Sequence, residues 1–116
     1  MLISFAFISA KAQLTNTKWK GTIHLDQPTD IIIHFGTDTL EAFSAEDNSS
    51  VEIMHYSIQD TVLTVQKISG QSQCDDVVVG KYKIEIKDNE MLMTVIDDDC
   101  DDRGPVLDNT TWKKEP

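Results

Sequence analysis

Basic residues are scarce in this chain. Lys and Arg together number 10 against 20 Asp and Glu, which leaves a formal net charge of -10. Nucleic-acid binders grip phosphates with clustered Lys and Arg, so a nucleic-acid partner is excluded, and docking on anionic lipid is disfavoured for the same reason. Long apolar runs are missing too. The stretch from Leu2 to Ala10 falls far short of the roughly 20 residues that span a bilayer, so no membrane insertion is expected. The best helix formers are few: Ala occurs 5 times and Leu 7 times, while Ile, Val and Thr occur 12, 8 and 11 times. A chain so rich in β-branched residues should be mostly sheet. No internal repeat, low-complexity tract or Pro/Gly-rich linker divides its 116 residues, so one domain is expected. There is no G-x-S-x-G elbow, no phosphate loop and no Cys-His arrangement with support in the sequence, and carboxylates are too general here for any pair to specify chemistry. No catalytic residue, metal or cofactor is assigned, and no enzymatic activity is expected.

Leu2 to Ala10 reads LISFAFISA, and Ala10-Lys11-Ala12 follows with small residues at alternate positions. An apolar core ending in A-x-A has the form of a secretory signal cut after Ala12, although no basic residue precedes it. Residues 1–12 are therefore assigned to a leader and residues 13–116 to the domain, with a secreted or periplasmic location. The only two cysteines, Cys74 and Cys100, form an even pair that reads as a disulfide in an exported chain. Closing the segment between them would stabilise by roughly 3.5 kcal/mol on the chain-entropy argument. Asn48 and Asn109 begin Asn-x-Ser/Thr triplets and mark surface loops.

The remainder breaks into short alternating runs. Eight strands are expected, at Thr17–Asp26, Asp30–Phe35, Thr39–Ala45, Val51–Ile58, Val62–Ile68, Val77–Lys87, Met91–Ile96 and Thr110–Glu115. Gln59-Asp60-Thr61 and Asp88-Asn89 are hairpin turns, and Gly104–Leu107 can hold one helical turn. Sequential antiparallel strands joined by short turns make a sandwich or a barrel. Eight of them favour an all-β, up-and-down β-barrel, because closure removes the exposed edges. The inward set is Trp19, Ile23, Leu25, Ile31, Ile33, Phe35, Phe43, Met54, Tyr56, Leu63, Val65, Tyr82, Ile84, Ile86, Met91, Met93 and Val95; Gly21 and Gly80 facing inward would open space among them, while large neighbours would close it.

Thr17-Lys18-Trp19 on the first strand resembles the G-x-W signature of lipocalins. Cys100-Asp101-Asp102-Arg103, followed by Leu107 and Trp112, resembles the D-x-C-x-x-R stretch of small bacterial secreted lipocalin-like domains of the calycin superfamily. The resemblance implies an eight-stranded barrel whose floor is closed by Arg103, the only arginine, lying across Trp19 in a cation–π contact.

Asp97-Asp98-Asp99-Cys100-Asp101-Asp102 is the densest charge cluster. Asp97, Asp99, Asp101 and Asp108 match positions 1, 3, 5 and 12 of a calcium loop, but Asp102 stands where the sharp turn requires Gly. A solvated acidic turn pinned by the disulfide is the expectation. His24, His34 and His55 lie on separate strands, with His24 and His34 pointing outward, so a zinc triad is not expected. The functional expectation is a monomer holding a small apolar or amphipathic ligand within the barrel, against Phe35, Tyr56, Tyr82 and Met93. The alternative is a filled barrel that acts as a protein-interaction module through its acidic surface loops.

Overall fold

The computed structural model describes residues 9–116; residues 1–8 of the expected leader lie outside them. Among the described residues a single turn of helix, α1 (Ala10–Leu14), precedes seven strands: β1 (Thr17–His24), β2 (Pro28–Phe35), β3 (Thr39–Ser44), β4 (Ser50–Gln59), β5 (Val62–Gly70), β6 (Val79–Lys87) and β7 (Glu90–Asp97). A helical turn, α2 (Gly104–Leu107), then leads into β8 (Thr110–Lys114). Each strand pairs antiparallel with the next, and β8 returns to β1 through Trp19↔Lys114, Lys20↔Lys113 and Gly21↔Trp112, closing the barrel. All eight strands and the turn at Gly104–Leu107 fall where the residue pattern places them, within a few residues at each end.

The two ends of the barrel differ. At one, the connections are tight: Gly36–Asp38, Asp60–Thr61 and Asp88–Asn89. Asp60 and Asp88 take φ of 57°, a left-handed conformation that Asp tolerates better than most residues. This end, the floor, is covered by α1. Ser9 caps the helix by accepting from the Ala12 amide at 3.2 Å, and Leu14 is completely buried in the core. Burying one such side chain stabilises by about 1.5–3 kcal/mol. At the opposite end, the mouth, run the short connection 25–27 and the longer ones 45–49, 71–78 and 98–109. The Cys74–Cys100 disulfide joins the last two, with a Cα–Cα distance of 5.4 Å. Asn48 and Asn109 sit exposed in the mouth loops with φ of 61° and 58°.

Two members of the expected inward set point elsewhere. Leu25 is 53% exposed because β1 ends at His24 and the next residues form the rim. Phe43 lies on the opposite face of β3 from Leu40 and Ala42. By strand alternation it shares the outer face with its β2 partner Ile32, its ring 4.7 Å from that of His34, and Leu40 and Ala42 take the inner positions. Large neighbours close the space over both inward glycines. A Cβ on Gly21 would lie 2.6 Å from Trp112 Cε3 and 2.9 Å from the Thr111 carbonyl oxygen, so the indole of the opposite strand occupies that space. Over Gly80 lie the Asp98 carboxylate and Arg103 Nε, the latter 3.1 Å from a would-be Cβ.

Gly21→Ala should therefore force Trp112 from its place and cost about 1–3 kcal/mol of stability, the usual range for overpacking. Urea unfolding followed by tryptophan fluorescence measures this; an unchanged midpoint would show that the indole can shift freely.

Candidate functional site

An elongated cavity of about 530 Å³ runs from the mouth towards the floor. Its walls are alternate residues of the strands, which point inward because side chains of a strand alternate between faces. Ile31, Ile33 and Phe35 come from β2, Leu40 and Ala42 from β3, Met54 from β4, Leu63 and Val65 from β5, Met93 from β7 and Trp112 from β8. The rim is polar: His24, Asp26, Glu52, Ser72, Asp102 and Arg103, with Val106 and Leu107 of α2.

Of the four residues chosen from sequence to face a ligand, Phe35 and Met93 line this cavity and Tyr56 and Tyr82 do not. Both tyrosines point inward, but their hydroxyls are committed to the protein. Tyr56 donates to the Gly36 carbonyl and packs edge-on against Phe35, with centroids 5.3 Å apart. Burial pushes its phenol above the ordinary value. Tyr82 donates to Asp98, and burial first, then the neighbouring carboxylate, pushes its phenol far up.

Arg103 and Trp19, expected to stack on the floor, stand apart. β1 starts at the floor, so Trp19 lies low in the barrel, its indole N–H donating to Thr17 Oγ1 at 2.8 Å. Arg103 belongs to the connection between β7 and β8, which turns at the mouth. The one cation–ring contact among the described residues is made by Lys11 of α1, whose Nζ is 4.7 Å from the Tyr56 ring centroid and also donates to the Thr37 carbonyl.

At the mouth Arg103 grips Asp98, which lies inside the barrel rather than in a solvated turn. Nε donates to Oδ2 at 2.6 Å and Nη2 to Oδ1 at 3.1 Å, a two-pronged pairing of planar groups. Nη2 also donates to the Val78 carbonyl at 3.0 Å. The side chains are 3% and 0% exposed. Asp98 further accepts from Tyr82 and from the Cys100 amide. Burial alone would raise this carboxyl, but the hydrogen bonds from Arg103, Tyr82 and Cys100, with the guanidinium charge, outweigh it and hold the group below its ordinary value. Burial likewise opposes the charge on Arg103, and Asp98 more than restores it. Nη1 remains buried without a hydrogen-bond partner among the described residues.

A second polar group sits across the mouth. Glu52 is buried, accepts from the Ser72 hydroxyl and amide, and lies 3.9 Å from Lys67 Nζ. Lys67 Nζ also donates to the Gly70 carbonyl at 3.2 Å and to the Ser72 carbonyl. Strand parity could have found both residues, because Glu52 is in phase with Met54 and Tyr56, and Lys67 with Leu63 and Val65. No such signal marked Arg103 and Asp98 as partners.

Among the described residues no set of three or more His, Cys, Asp or Glu side chains is placed to hold a metal ion, and no helix is long and apolar enough to cross a membrane. Comparison with protein families, with characterised proteins and with solved structures finds no match for the chain.

Removing one partner of a buried pair strands the other, so Arg103→Ala should cost about 3–5 kcal/mol in denaturant unfolding. The acid limb carries a separate signature. With its folded pKa depressed, Asp98 contributes stability that is complete above the ordinary value of 3.8 and is lost as pH falls through the lower folded value. Between about pH 4 and pH 2 the parent should lose more stability than Asp98→Asn; parallel acid limbs in urea titrations would contradict the pairing.

Proposed function

We propose that this chain is an exported, lipocalin-like carrier that holds a small apolar or amphipathic molecule in the open end of its barrel. The observation that carries the reading is the cavity. An eight-stranded barrel has an interior that side chains can just fill or that can hold one small ligand. Here about 530 Å³ is left, within the usual range of ligand pockets, walled by apolar side chains and rimmed by a few polar ones. A filled scaffold acting through its acidic loops would have no need of that space. Export rests on the apolar leader ending in A-x-A and on the Cys74–Cys100 bond, which persists in an oxidising compartment. A cut after Ala12 leaves Leu14 as the plug of the floor and removes Lys11 from Tyr56.

Native mass spectrometry of the exported chain, kept free of detergent, should show a reproducible extra mass that disappears on denaturation. Ala42 faces the cavity from β3, so Ala42→Phe should fill part of it and remove that mass while the folded spectrum is kept. A bare parent chain in every preparation would overturn the carrier reading in favour of the acidic surface.

A further inference from the structure

Leu14 plugs the floor, and the contacts that hold it there come from residues that follow it in the chain. Its carbonyl accepts from the Thr17 hydroxyl, which in turn accepts from the Trp19 indole at 2.8 Å. The Asn16 amide donates to the Phe35 carbonyl at 2.8 Å, and Asn16, at φ of 62°, turns the chain into β1. The contacts of α1 reach the other way. The Gln13 and Thr15 amides donate to the Ser9 and Lys11 carbonyls at 3.1 and 3.0 Å. A cut after Ala12 removes both of those acceptors and keeps the anchors at Thr17 and Asn16. The plug then stands second in the chain, behind Gln13, which is half-buried at the floor.

Two liabilities arise at that new end. The Gln13 nitrogen, no longer bonded to Ser9, becomes an α-amine that is largely charged at neutral pH. Half-buried beside Leu14, such a charge is poorly solvated and costs free energy. An exopeptidase starting there also has to take only two residues to unplug the barrel. A glutamine in this position can remove both liabilities by itself. In its uncharged fraction the α-amine nitrogen attacks the side-chain carboxamide carbon, Cδ. The new C–N bond closes a five-membered lactam, the Cδ–Nε2 bond breaks, and ammonia leaves with the proton given up by the amine. Neither oxidant nor reductant takes part, and the terminal charge is gone. Resting on the export reading, we propose that Gln13 is a modification site: cleavage after Ala12 is followed by closure of Gln13 to pyroglutamate, which seals the chain end in front of the Leu14 plug against aminopeptidases.

Intact mass of the chain, expressed from its own leader and collected outside the cytoplasm, tests this. After standing at neutral pH, residues 13–116 with the disulfide closed should weigh one ammonia less than their sequence, about 17 Da. In Gln13→Asn the side chain is one carbon too short for the ring, so the full mass of residues 13–116 should remain. Leucine aminopeptidase should leave the parent intact but take residues 13 and 14 from the variant, which should then unfold at a lower urea concentration. A parent of residues 13–116 at full mass would overturn the lactam and leave export standing. Retained residues 1–12, or no chain outside the cytoplasm, would overturn both. A variant that keeps Leu14 under the peptidase would overturn the protective role.

Discussion

The pairing of Arg103 with Asp98 is the contact on which the mouth of this barrel depends. Two charged side chains are withdrawn from water there, and such burial is tolerable only when geometry and accessory hydrogen bonds compensate it. The compensation is assembled from several parts of the chain. Tyr82 of β6 and the Cys100 amide donate to the carboxylate, and the Val78 carbonyl accepts from the guanidinium. Gly80 leaves the sheet bare where the pair lies. The disulfide between Cys74 and Cys100 ties the two loops that supply these groups, and the Gln73 amide donates to Asp102 at 2.7 Å beside it. One side of the mouth is thereby held as a rigid wall.

Tryptophan placement follows a related logic at the seam. β8 meets β1 over few residues, and Trp112 of β8 stands directly opposite Gly21. The indole fits because the glycine has no side chain, and its own N–H is answered by Thr110 Oγ1 at 2.8 Å. Trp19 does the same on β1 with Thr17. Two large rings thus reach full burial with their polar atoms satisfied, as buried indoles require. The seam and the floor are densely filled in this way. The unfilled volume lies among inward side chains of β2 to β5, with Met93 and Trp112, and opens at the mouth.

That division gives the carrier reading its physical sense. A floor closed by Leu14 and tight turns, and a mouth framed mostly by longer loops, make a cup open at one end. The cup's walls are apolar, and its rim carries the Arg103–Asp98 pair and the Glu52 carboxylate beside Lys67, with Asp26, Asp102 and His24.

Strand number, order and boundaries were legible in the sequence because they follow from local causes. Side-chain alternation, β-branched composition and turn residues such as Asp60 and Asp88 all act within a few positions of one another. The disulfide was legible as well, since only two cysteines could form it. Glu52 and Lys67 were readable in principle from parity. The rest was settled by which residues meet across the barrel. That Gly21 and Gly80 are filled depends on Trp112 and Asp98 arriving from distant segments, whereas Phe43 turns outward by simple alternation with Leu40 and Ala42 on β3. Arg103 lies at the mouth because the β7–β8 connection turns at the same end as β1–β2, away from Trp19 at the start of β1, a placement that the strand order already implied. Whether an inward-facing set fills its interior or leaves a cavity is a matter of volumes summed over eight strands, and only the closed barrel brings those volumes together.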